Sequence, residues 1–137
     1  MSDQPAADQQ MLDQPQGELT TRTIAMPADS NPAGDIFGGW VLSQMDIAAG
    51  ICASERAQCR TVTVAVDSMH FIRPVKIGDV LSVHTDVQRV GNTSIDVNVE
   101  AWVHRDRSRN TVKVTQAIFK FVALGIDGRP RAVPPVD

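Results

Sequence analysis

Between Ser94 and His104 apolar and polar residues alternate without a break. Ile95, Val97, Val99, Ala101 and Val103 fall on one side; Ser94, Asp96, Asn98, Glu100 and Trp102 fall on the other. A period of two is that of a strand with one face on a core. Val80–Val90 reads as a second strand, joined to it by a turn at Gly91-Asn92. Thr61–Arg73 and Thr111–Leu124 are two more, long and rich in β-branched residues. Pro74 ends the first of these, and the polar run RDRSRN precedes the second. A first strand is expected over Glu18–Ala25.

The period changes between Trp40 and Gln58. Val41, Met45, Ala48 and Cys52 are spaced four, three and four, with Leu42, Ala49 and Ala53 beside them. That spacing predicts a helix. Ile47 and Ile51 add apolar surface on another face, so the helix is expected to be wrapped over more than half its circumference. Ala48, Ala49 and Gly50 predict a close approach of other backbone there. The loop before it, MPADSNPAGDIFGG, holds two prolines and three glycines, the mark of a demanding backbone path.

One long buried helix among strands predicts an α+β fold, an antiparallel β-sheet wrapped around the helix. Short turns after Thr61 predict a meander. A second copy of the chain is expected to cover the sheet edges and the face that carries Trp102. Residues 1–17 are rich in Gln, Asp and Pro and contain no Lys or Arg. They read as a disordered N-terminal tail, leaving 18–137 as one domain.

Composition narrows the function by exclusion. Thirteen basic and sixteen acidic residues in 137 give a net charge of −3. Such a balance argues against nucleic acid or an anionic membrane as the main partner. No apolar run is long enough to span a bilayer, and the N-terminus lacks the basic and apolar segments of a signal peptide. The cytoplasm is the expected location. Cys52 and Cys59 are seven residues apart. On one helix they would lie roughly 10 Å apart along its axis, too far for a disulfide, so reduced thiols are expected. His70, His84 and His104 fall on separate strands, and no metal site or cofactor is expected.

Three features carry candidate chemistry. Asp46 lies two turns into the helix among apolar neighbours. It is either a general base or a residue of an exposed polar stripe with Ser43; helix capping does not explain it so far from the first turn. Gly38 and Gly39 open the helix, where backbone N–H groups lack internal partners and glycine lets a substrate come close. Such amides stabilise an oxygen gaining negative charge; the plain alternative is an ordinary glycine-rich loop. Asn31 precedes Pro32, a common turn former as well as a candidate polar group. Around the last hairpin turn, Arg105, Arg107, Arg109 and Lys113 make either a phosphate site or a solvated turn.

Two segments, NPAGDIFGGWVLSQMDIAAG and TVAVDSMHFIRPVKIGDVL, together resemble the hotdog-fold acyl-CoA thioesterases, most closely the bacterial YciA-type branch. The resemblance covers Leu19 to Pro134. It implies a hotdog fold and hydrolysis of acyl-CoA to a carboxylic acid and CoA. It further implies pairing of two chains, within a homohexamer, and a site formed between them. By the resemblance, Asp46 acts as base or nucleophile, Asn31 assists, and the amides of Gly38 and Gly39 polarise the thioester carbonyl. CoA contacts are expected from Ser68 and Arg73 and from the basic turn. The chain departs from many relatives in having Phe37 where they have His, Ala33 where they often have Asn, and Asn92 where a basic residue is frequent. Two other functions fit the same fold: a non-catalytic acyl-CoA sensor and a dehydratase acting on acyl thioesters. Retention of Asp46 and the lack of an effector domain weigh against a sensor. The missing histidine near the helix start weighs against a dehydratase.

Overall fold

The computed structural model describes residues 14–136. It contains β1 (Glu18–Ile24), α1 (Gly38–Ala57), β2 (Arg60–Phe71), β3 (Val80–Val90), β4 (Ser94–His104) and β5 (Val112–Leu124). A short 3-10 turn, Pro27–Asp29, sits in the loop before α1. The strands form one antiparallel sheet in the order β1-β3-β4-β5-β2.

The meander expected from Thr61 onward therefore holds only for β3, β4 and β5. β2 pairs with β5 at the far edge of the sheet. The cause lies in the connection 72–79, which contains Pro74 and is no tight hairpin. It travels past β1 and the loop before α1, where Gly78 N–H donates to the Ala25 carbonyl (2.8 Å) and Ile36 N–H to the Val75 carbonyl (3.0 Å).

α1 crosses one face of the sheet. Val41, Met45, Ala48, Ala49, Ala53 and Ala57 are buried on its inner side, and Val83, Val97, Val99, Phe119 and Phe121 are buried in the same core. At Gly50 the neighbour is a side chain and not the close backbone expected: an added Cβ would stand 3.8 Å from the Phe121 ring, an ordinary van der Waals distance. The helix ends at Gln58, whose left-handed backbone (φ 55°) returns its N–H to the Ser54 carbonyl. Cys59 thus lies beyond the helix, and both cysteines are free thiols.

Burial departs from the sequence pattern in two places. The second apolar side of α1 is open in the protomer, with Ile47 52% and Ile51 43% exposed; Val62, Val64 and Val66 of the edge strand β2 are exposed too. Trp102, expected to wait for a second copy, is instead buried within the protomer at 2% exposure. Its indole N–H donates to Glu100 Oε1 (2.9 Å), which also accepts from Gln16 N–H (3.2 Å). Of the tail expected to be disordered, residues 1–13 lie outside the described residues. Gln14 to Gly17 run beside the sheet, tied to it by that Gln16 bond.

Candidate active site

The loop before α1 gives Asn31 one defined role. Its Oδ1 accepts N–H bonds from Ala33 (3.0 Å) and Asp35 (3.1 Å). Two donors on one oxygen fix the amide orientation, so the side chain offers only its Nδ2 hydrogens outward. The Asn31 N–H is held by the Asp35 carbonyl at 2.7 Å. Asn31 and Gly38 line one groove of about 340 Å³ with Val41, Phe71, Arg73 and Val75. No histidine lines it.

Phe37 is the residue preceding α1, and the first N–H groups of the helix, at Gly38 and Gly39, have no acceptor among the described residues. They stand at the positive end of a 20-residue helix. The two glycines differ. A Cβ at Gly38 would meet the Phe71 ring at 3.3 Å, whereas a Cβ at Gly39 would meet nothing within 4 Å. Neither has a positive φ. The protomer's own packing therefore does not require glycine at 39.

Asp46 is half-buried, and its Oδ1 accepts the hydroxyl of Thr63 at 2.6 Å. Thr63 lies on β2, where Thr61 and Thr63 face α1; the Thr61 hydroxyl is 2.8 Å from that of Ser54. The bond fixes the carboxylate and leaves Oδ2 without a partner among the described residues. Sequence reasoning missed Thr63, because a threonine in a strand carries no signal apart from its neighbour. Asp46 does not line the groove of Asn31. It lies eight positions along the helix from Gly38, about 12 Å along the axis.

The residues expected to bind CoA are dispersed. Arg73 lines the Asn31 groove and donates to the Lys113 carbonyl at 2.7 Å. Ser68 sits at a bulge of β2 with a left-handed backbone (φ 53°) and lines a separate cavity with Asp67, His70 and Gln116. Lys113 bonds Gln116 and stands 3.8 Å from Glu100. Arg107 and Arg109 share a cavity of about 590 Å³ with Arg22 and His104. Arg105 is engaged elsewhere: its Nε and Nη2 grip the two oxygens of Asp79 at 2.8 and 2.7 Å. Asp79 is fully buried. Burial pushes its carboxyl up, but the bonds from Arg105 and Lys76 N–H outweigh that and hold it below its ordinary value. Burial likewise pushes the Cys52 thiol up. Among the described residues no group of three or more His, Cys, Asp or Glu is placed to hold a metal, and no helix is long and apolar enough to cross a membrane.

The thioesterase superfamily model matches residues 33–119. The chain belongs to the thioesterase superfamily. It is 50% identical over 123 residues to the acyl-CoA thioester hydrolase YciA of Escherichia coli, a match covering 88% of this chain and 93% of YciA. Among solved structures it resembles the hexameric thioesterase y2039 from Yersinia pestis, at 48% identity and a TM-score of 0.85, covering 90% of this chain and all of that one. It also resembles an acyl-CoA hydrolase from Staphylococcus aureus solved with butyryl-CoA and CoA, at 30% identity and a TM-score of 0.79, covering 85% and 71%. The sheet packed on one long helix is the hotdog fold, shared with the hexameric hotdog fold thioesterase Cj0915 of Campylobacter jejuni, at 43% identity and a TM-score of 0.81, covering 86% of this chain and 91% of that one.

Proposed function

We propose that this thioesterase hydrolyses acyl-CoA to a free carboxylic acid and CoA. The observation that carries the reading is Asp46, a half-buried carboxylate with one oxygen fixed by Thr63 and the other without a partner among the described residues, on a helix whose first amides likewise find no acceptor among them, beside Asn31. Solved relatives include an aspartate-to-alanine and an asparagine-to-alanine mutant of the Staphylococcus aureus enzyme, the same two residue types.

The thioester carbonyl lies against the N–H groups of Gly38 and Gly39. Asp46 Oδ2 takes a proton from water, whose oxygen attacks the carbonyl carbon; alternatively Oδ2 attacks that carbon to give a mixed anhydride that water then cleaves. Either way the C–S bond breaks, CoA leaves as thiolate and a carboxylic acid remains. The amides hold the oxyanion, and Asn31 Nδ2 donates to the carbonyl or water oxygen. A thiolate leaves readily, so no strong general acid is required.

One carbonyl cannot meet Gly38 and Asp46 of the same helix about 12 Å apart. Two antiparallel helices, one from each of two chains, bring the Gly38 and Asn31 of one to the Asp46 of the other. The exposed Ile47, Ile51 and β2 valines supply the apolar surface for that homodimer, and three such dimers make a hexamer, the state of the solved Yersinia pestis relative. Arg73 and Ser68 flank the pantetheine arm. Arg107 and Arg109, joined by Arg22, take the CoA phosphates. The cytoplasm remains the proposed location. Thiol release from a panel of acyl-CoAs tests the reading: a hydrolase frees CoA catalytically, whereas a sensor binds without release and a dehydratase leaves the thioester intact.

A further inference from the structure

Arg105 and Asp79 stand outside the groove that holds Asn31, yet hydrogen bonds lead from one to the other. Arg105 Nε and Nη2 grip both oxygens of the buried Asp79, and Nη2 also reaches the Pro74 carbonyl at 3.4 Å. Asp79 Oδ2 accepts in addition the N–H of Lys76 at 2.8 Å, and Asp79 N–H returns to the Lys76 carbonyl at 3.0 Å. Both ends of the segment Pro74–Asp79 are therefore closed onto the Arg105–Asp79 pair. That segment in turn fixes the loop before α1. The Val75 carbonyl accepts Ile36 N–H, Lys76 and Asp35 stand opposite each other in a β-bridge and pair through their side chains, and the Asp35 carbonyl accepts Asn31 N–H. Asp35 N–H also holds Asn31 Oδ1. Pro74 and Val75 themselves wall the groove.

We propose that Arg105 and Asp79 are positioning residues: their two-pronged ion pair clamps the connection 72–79 and through it sets Asn31. The inference rests on the reading of Asn31 as part of a thioester hydrolase, and it moves Arg105 out of the set that contacts CoA phosphates. A guanidinium whose Nε and Nη2 are spent on a fully buried carboxylate is held in place by the protein, and only its Nη1 remains for a ligand. The fork geometry matters, because only arginine matches both carboxylate oxygens at once. Displacing a donor by about 1 Å can cost a site as much as about 100-fold in rate, so a slack clamp reaches the chemistry without touching substrate.

The test compares Arg105→Gln and Arg105→Lys with the unaltered protein on butyryl-CoA and on butyryl-pantetheine, which lacks the CoA phosphates. Gln keeps a donor facing Asp79, and Lys keeps the charge but not the fork. The proposal expects kcat to fall by tenfold or more for Arg105→Gln and by less for Arg105→Lys, with the same ratio on both substrates. In an Asn31→Ala background the further loss from Arg105→Gln should shrink below twofold, because the clamp acts through that residue. A raised KM on butyryl-CoA that disappears on butyryl-pantetheine makes Arg105 a phosphate ligand and overturns the clamp. So does an unchanged kcat, or a full additional loss without Asn31. If Arg105→Gln does not fold, Arg105→Lys decides by the same comparisons. Activity that survives Asp46→Asn would refute the hydrolase reading instead, whatever Arg105 does.

Discussion

Gly39 separates what the protomer needs from what a substrate needs. It lies in the first turn of α1 with an ordinary helical φ, and a methyl group there meets no atom within 4 Å. Gly39→Ala should therefore fit the protomer without strain. Replacing glycine by alanine in a helix gains about 0.5–1 kcal/mol, part of it by restricting the unfolded chain. For a chain of 137 residues that raises Tm by roughly 2–3 °C. Activity should move the other way, because the methyl occupies the space through which the thioester oxygen reaches the Gly38 and Gly39 amides. Loss of one such donor costs about 10²–10³ in kcat. Thermal unfolding and thiol release from butyryl-CoA on the same preparation give both numbers. A higher Tm with unchanged kcat would refute the placement of the carbonyl at this helix start. A lower Tm would mean that a second chain, not substrate, fills the space. Gly38→Ala is the control, since its Cβ presses on Phe71 at 3.3 Å and gains less stability.

Three other expectations rest on separate observations. Thr63→Val removes the hydroxyl that holds Asp46; a bond to a charged group is worth about 1.5–3 kcal/mol, so kcat should drop roughly 10- to 100-fold, with Thr63→Ser restoring most of it. Full activity of Thr63→Val would show that the carboxylate needs no such support. Refolding Asn31→Ala and Asp46→Asn chains together should return about a quarter of wild-type activity, because mixed dimers contain one intact site in two; continued inactivity despite proven exchange would place both residues in one chain's site. The Asp79 carboxyl lies below its ordinary value, so its contribution to stability is present at neutral pH and is lost as pH falls below about 4. The gap in unfolding midpoint between the unaltered protein and Asp79→Asn should accordingly narrow between pH 7 and 3, and a gap independent of pH would contradict the ion pair.

What could be read from the sequence was local. The alternation from Ile95 to Val103 and the four-three-four spacing from Val41 to Cys52 reflect repeats in backbone geometry, and the structure reproduces both elements. Sheet order is not local. The strand period of β2 is the same whether it pairs with β3 or with β5, and the eight-residue connection 72–79 permits either. The burial of Trp102 depends on Glu100 and Gln16, which its own strand pattern classes as polar surroundings. Among the proposed site residues, Asp46, Gly38, Gly39 and Asn31 were visible because each stands out against its immediate neighbours or matches a motif. Thr63 was not, since nothing distinguishes it from Thr61 until α1 is laid against β2. Arg105 was visible only as charge in a basic turn. Its pairing with Asp79, 26 residues away, arises when β3 and β4 align.

The central claim is that the free oxygen of Asp46 acts on the thioester or on its water. Asp46→Asn keeps the shape of the side chain and removes the base. Steady-state release of CoA from butyryl-CoA by the folded variant should fall by roughly 10²–10⁴-fold in kcat, the contribution of one positioned proton acceptor. A folded Asp46→Asn protein that turns over butyryl-CoA at a near-normal rate would contradict the account.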